Sequence, residues 1–236
     1  EESNQEQPAA NEEYHWPALE SDPEIFTNYL TKLGMSADWH ICEVFGLDDD
    51  CLGFVPQPCL GTIVTFERTE NRDDGKPGDG KGSHIVPFYM KQTGTLDNAC
   101  GIVACLHAIL NHTSDVPLDT DSILDKFQKD TTDITADARA TYLEEFKDFK
   151  EAHKESASQG QTAPPSGDTK VKHHFVAFIR NSNNQLIELD GTKDGPSIIQ
   201  EDCEDVLKGT ATEIQRRLAA GNITDSLSLM AFAKKP

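Results

Sequence analysis

Apolar positions along the chain follow two spacings, and each predicts its own elements. Helical spacing links Ile25, Phe26, Tyr29, Leu30 and Leu33, with Asp22-Pro23 as cap and first-turn proline and Gly34 as the stop. It returns over residues 121–129 and 136–153, where Tyr142, Leu143, Phe146 and Phe149 form a core-facing stripe. Residues 201–220 read as one or two helices interrupted near Gly209, with Ile214 and Leu218 inward. Strand-like runs occupy 39–45, 60–66 and 85–91, the second apolar enough to be central, while Asp48-Asp-Asp50 reads as a solvated turn or helix start. Residues 171–179 and 185–189 flank a Ser-Asn-Asn turn and predict a β-hairpin, and 226–233 adds a last strand.

One stretch obeys neither amphipathic pattern. From Ala99 to Leu110 the chain is apolar almost all round, which predicts a helix buried on every side. Cys100 stands at its head, after Asn98, an N-cap type of residue, and beside Gly101, which leaves room for close approach. A thiol at a helix N-terminus feels the positive end of the macrodipole, so its thiolate is favoured and a nucleophile results. The competing reading of Cys100 is a small buried apolar residue. Such a nucleophile needs a base, and the base needs a group to hold it. In the expected hairpin, His174 lies early in the first strand and Asp190 at the end of the second, so the two can meet across the ladder. Cys100, His174 and Asp190 are thus the candidate nucleophile, general base and orienter. Adjacent His173 faces the other way on a strand and is the lesser candidate, and His107, within the buried helix, reads as a hydrogen-bonded core residue.

Four blocks carry a family resemblance: Phe88-Tyr-Met-Lys-Gln92-Thr, Asn98-Ala-Cys100-Gly, His174-Phe-Val-Ala and Glu188-Leu-Asp190-Gly. They resemble the signature segments of the ubiquitin C-terminal hydrolases, papain-like cysteine deubiquitinases of the short single-domain type. Trp16-Pro-Ala-Leu-Glu20-Ser-Asp-Pro23, Leu52-Gly-Phe-Val-Pro-Gln-Pro58 and Ala157-Ser-Gln-Gly-Gln-Thr-Ala163 extend the likeness over nearly the whole chain from Trp16. The resemblance implies an α/β (α+β) papain-like fold, with a central, mainly antiparallel sheet flanked by helices, and knotted. It implies Cys100 as nucleophile, His174 as general base and acid, Asp190 as orienter and the Gln92 side chain as oxyanion donor. It also implies a crossover loop at about 154–170, where the composition is rich in Ser, Gln, Gly and Pro, arching over the cleft and limiting leaving groups to small or unfolded adducts. Gln92 and Cys100 are eight residues apart (100 − 92), two more than the family spacing, so a bulge is expected within 94–97. The function implied is thiol-dependent cleavage at the C-terminal glycine of ubiquitin through an acyl-enzyme thioester. The alternatives are a ubiquitin-binding scaffold with impaired turnover, or a hydrolase for another ubiquitin-like modifier such as Nedd8.

Composition narrows this frame. With 236 residues, 36% of them hydrophobic, the chain can bury one sizeable core: residues 1–15 read as an acidic mobile tail and 16–236 as a single catalytic domain. Residues 68–83 read as a surface loop dominated by glycine and charge. A formal charge of −20 argues against nucleic acid and for a basic partner surface. No apolar run reaches a membrane-spanning length, and the six scattered cysteines lack metal-ligand spacing, so neither membrane, metal nor cofactor is expected. The thiols read as reduced, the compartment as cytoplasmic and the protein as a monomer. Asn-x-Thr sequons at Asn111 and Asn222 would matter only in a secreted protein.

Overall fold

The computed structural model describes residues 14–69, 85–160 and 173–236. The expected acidic tail up to residue 13, most of the 68–83 loop and the crossover segment beyond residue 160 lie outside the described residues.

Among the described residues six strands form one antiparallel sheet: β1 (Trp39–Glu43), β2 (Cys59–Arg68), β3 (His173–Arg180), β4 (Leu186–Leu189), β5 (Ser197–Gln200) and β6 (Ile223–Lys234), in the order β1-β6-β2-β3-β4-β5. Side chains alternate across it: Ile63, Phe175, Ala177 and Ile179 join one core, Val64, Val176 and Phe178 another. Both faces are covered, which is why the central strands carry apolar residues at nearly every position instead of alternating with polar ones.

On the first face lie α1 (Pro23–Leu33), α3 (Cys100–Leu110), α4 (Ile123–Thr131), α5 (Ala136–Glu145) and α6 (Lys147–Ala157); on the second, α2 (Asp49–Leu52) and α7 (Val206–Ala219). The α1 boundaries are those its residues require. Asp22 accepts from the Glu24 and Ile25 N–H groups, and Gly34 at φ 111° closes the helix in a conformation that side chains disfavour. Every residue of α3 is buried. The hairpin between β3 and β4 turns where Asn181 Oδ1 accepts from the N–H groups of Asn183 and Gln185.

Four expectations change. The helix expected over 136–153 is two, bent at Phe146 where ψ is 96°. Helix α7 runs through Gly209 without a break; a Cβ there would sit 2.9 Å from Cys203 Sγ, so the glycine serves close packing. Residues 85–91 join no ladder among the described residues, and 85–87 bend. Asn111 instead clamps both backbone polar groups of Phe88, and the Lys91 N–H donates to the Ala136 carbonyl. With a further bond to the His107 carbonyl, both N–H groups of the Asn111 amide are engaged. Finally, β5 was not expected.

Candidate active site

Helix α3 begins at Cys100 itself. Its N-cap is Ala99, not Asn98, and no side chain caps it. The first intrahelical bond runs from the Val103 N–H to the Ala99 carbonyl, so the N–H groups of the first turn, Cys100 included, lie ahead of the helical ladder. Cys100 is buried except where it lines a cleft of about 560 Å³, shared with Leu19, Gln92, Asn98, His174 and Thr192.

His174 and Asp190 meet. The His174 Nε2–H donates to Asp190 Oδ1 at 2.7 Å, and both residues are buried. The same carboxylate oxygen also accepts from the Thr192 N–H at 3.0 Å and the Thr192 hydroxyl at 2.8 Å. His173, exposed, lies within hydrogen-bond distance of Ser226 Oγ, at 2.9 Å.

Gln92 reaches the cleft from the segment before α3. Its backbone N–H donates to the Gly191 carbonyl at 2.8 Å, its Nε2 donates to the Asp97 carbonyl at 2.9 Å, and its Oε1 is buried without a partner among the described residues. The extra residues between Gln92 and Cys100 wind into a 3-10 turn, Gly94–Leu96, inside the span where a bulge is expected.

A family model described as ubiquitin carboxyl-terminal hydrolase, family 1, matches residues 16–219. The chain belongs to this family. It is similar to a probable ubiquitin carboxyl-terminal hydrolase of Dictyostelium discoideum, 32% identical over 94% of this chain and 89% of that one. It is also similar to the ubiquitin carboxyl-terminal hydrolase of Aplysia californica, 34% identical over 88% and 96%. The fold matches the catalytic domain of Trichinella spiralis UCH37, solved bound to ubiquitin vinyl methyl ester, with a TM-score of 0.75 and 23% identity over 94% of this chain and 96% of that one. The chain is therefore a papain-like cysteine hydrolase of the ubiquitin carboxyl-terminal hydrolase family.

In this hydrolase several residues that sequence reasoning passed over hold the site together. The Tyr89 hydroxyl lies 2.8 Å from the Asp190 carbonyl and 2.7 Å from that of Lys193, tying down the turn that carries Asp190. Lys193 and Arg217 both reach the fully buried Glu188, two residues before Asp190. Burial alone would raise the Glu188 carboxyl, but the two cations outweigh it and hold the group below its usual range. Gly191 is required by close approach: a Cβ there would lie 2.9 Å from Gln92 Cβ. The block around Asp190 contains Glu188 and Gly191, but its sequence does not say what lies opposite them. His107 stacks on Tyr89 with ring centroids 5.1 Å apart and accepts at Nε2 from the Met90 N–H. Burial pushes its pKa down to about 4, so it is a neutral core histidine.

Proposed function

We propose that the protein cleaves small or unfolded adducts from the C-terminal glycine of ubiquitin, with Cys100, His174, Asp190 and Gln92 as its working residues. The observation that carries the assignment is the 2.7 Å bond from His174 to Asp190 at the wall of the cleft that Cys100 lines. With Nε2 committed to Asp190, Nδ1 is the ring nitrogen that exchanges a proton with the thiol. The Cys100 thiolate attacks the glycine carbonyl, and His174 protonates the departing amine. Water, deprotonated by His174, then opens the thioester.

Gln92 donates to the developing oxyanion beside the head of α3. One N–H of its Nε2 serves Asp97, and the second is the donor in this reading. Its Oε1, without a partner among the described residues, supports the role: a buried orphan acceptor costs about 1–3 kcal/mol, which a side chain kept only for stability has no reason to bear.

The domain is 16–236, and the preference for small adducts follows from the crossover loop that the family resemblance implies at about 154–170, of which residues 154–157 belong to α6. Ubiquitin is the partner that suits a chain of charge −20, through a basic tail. A cytoplasmic monomer without affinity for nucleic acid or membrane completes the reading. Ubiquitin carrying a C-terminal vinyl electrophile tests it: covalent labelling at Cys100, abolished by Cys100→Ala, is expected. Tight binding with no labelling would identify a scaffold instead. Faster turnover of a C-terminal reporter of another modifier than of ubiquitin would overturn the choice of substrate.

A further inference from the structure

We propose that Glu144 of α5 is a positioning residue for the oxyanion side of the site, acting through the extra turn between Gln92 and Cys100. The inference rests on the reading of Gln92 as oxyanion donor given above.

The turn Gly94–Leu96 has little to hold it from within. It is preceded by Thr93, whose side chain makes no capping bond, and the Leu96 N–H reaches the Thr93 carbonyl at 3.2 Å, near the limit of a useful bond. Its shape is therefore imposed from outside. Glu144 Oε1 accepts from both the Thr95 N–H, at 2.5 Å, and the Thr95 hydroxyl, at 2.8 Å. The Thr95 carbonyl accepts from the Trp16 N–H at 2.9 Å, and the Leu96 side chain is fully buried. Gly94, at φ 60°, lies against the same carboxylate so closely that a Cβ would run into it.

What the turn presents is functional. Two residues beyond Thr95, the Asp97 carbonyl accepts from Gln92 Nε2, and the chain then closes onto α3 through the bond from the Ala99 N–H to the Leu96 carbonyl. Gln92, Asp97 and Cys100 line the cleft. Glu144 and Thr95 do not, so their influence on the reaction passes through the turn. The amide of a glutamine rotates freely unless something fixes it. Here the fixing acceptor is a carbonyl whose place depends on Thr95, and Thr95 depends on a charged acceptor, the stronger kind. A displacement of about 1 Å at such a donor is enough to cost much of its value.

The test is a double-mutant cycle on a fluorogenic ubiquitin C-terminal reporter, with Glu144→Ala, Glu144→Gln, Gln92→Ala and the Gln92→Ala/Glu144→Ala pair. Glu144→Ala is expected to lower kcat about 10-fold with KM within about twofold, and Glu144→Gln, whose Oε1 still accepts both Thr95 bonds, to recover most of it. Gln92→Ala alone should lose about 10²-fold, but only about 10-fold further in the Glu144→Ala background, so that the pair is no worse than Gln92→Ala by itself, because the amide is already misaimed there. Should Glu144→Ala fail to fold, Thr95→Val removes one of the two bonds and carries the same cycle. Losses that simply add, or a Glu144 effect confined to KM, overturn the proposal and leave Gln92 untouched. A Gln92→Ala variant as active as the parent overturns both.

Discussion

His174 Nε2 and Asp190 Oδ1 are 2.7 Å apart, and that oxygen also receives both donors of Thr192. An aspartate loaded in this way is fixed in one rotamer, and through it so is the ring. Asp190→Asn should retain the fold, since an amide oxygen still accepts from Thr192, but it loses the charge that stabilises an imidazolium. The expected result is a fall of about 10²–10⁴-fold in kcat on a ubiquitin C-terminal reporter. A variant within tenfold of the parent would remove Asp190 from the mechanism.

Gly191 lies between this aspartate and Gln92. A methyl group at 191 would enter the space of Gln92 Cβ and Val103 Cγ1, both within about 3.1 Å of the ideal Cβ position. Gly191→Ala should therefore destabilise by about 1–3 kcal/mol through overpacking and lower kcat while leaving ubiquitin affinity intact. Denaturant unfolding and calorimetric titration read the two effects separately.

Stability should fall in mild acid. Burial lowers both His107 and His153 to about 4, and neither ring gains enough from its hydrogen bonds to offset that. The unfolded rings take up protons near pH 6.5 while the folded ones resist. The stabilisation is therefore complete above pH 6.5 and is lost as pH falls toward 4. Between pH 7 and 5.5 the two rings together should remove about 2–3 kcal/mol. Urea midpoints across that window measure it; a flat profile would show that the rings are solvated.

Arg217 links α7 to the strand before Asp190. It bonds Glu188 Oε1 at 2.7 Å and Glu213 Oε1 at 2.7 Å, and its guanidinium lies over the Phe178 ring. Arg217→Ala leaves Glu188 buried with Lys193 as its remaining cation and should cost about 3–5 kcal/mol. Replacing Glu188 together with both of its cations, as Arg217→Met/Glu188→Gln/Lys193→Met, should restore much of that, because the buried charge and its partners then leave together. Thermal unfolding of the parent and the two variants decides it.

The parts of this molecule legible in its sequence are those where local chemistry and tertiary packing agree. Asp22-Pro23 and Gly34 punctuate α1 and are found at its ends, and the unbroken apolar run from Ala99 marks a helix buried on all sides. The nearness of His174 and Asp190 followed from reading one hairpin. What could not be read depends on what lies opposite. Phe146 bends the chain without proline or glycine to announce it. Gly209 resembles a break but accommodates Cys203 and Leu186. The segment 85–91 has a strand's composition, yet its partners are the side chain of Asn111 and scattered carbonyls. Tyr89 bears on Asp190 through a bond that no spacing rule contains, whereas Thr192 does so through a local turn in which the Asp190 side chain accepts from the N–H two residues on.

Strand β6 lies between β1 and β2, pairing Phe232 with Ile41 on one side and with Gly61 on the other. During synthesis, then, β1 and β2 leave the ribosome long before the segment that joins them, and each waits with an open edge for a neighbour that follows all the other strands. The sheet cannot close in order of translation. Such long-range pairing makes for slow folding and a prolonged need for protection from aggregation, and deleting residues 223–234 would remove an interior strand on which both neighbours depend.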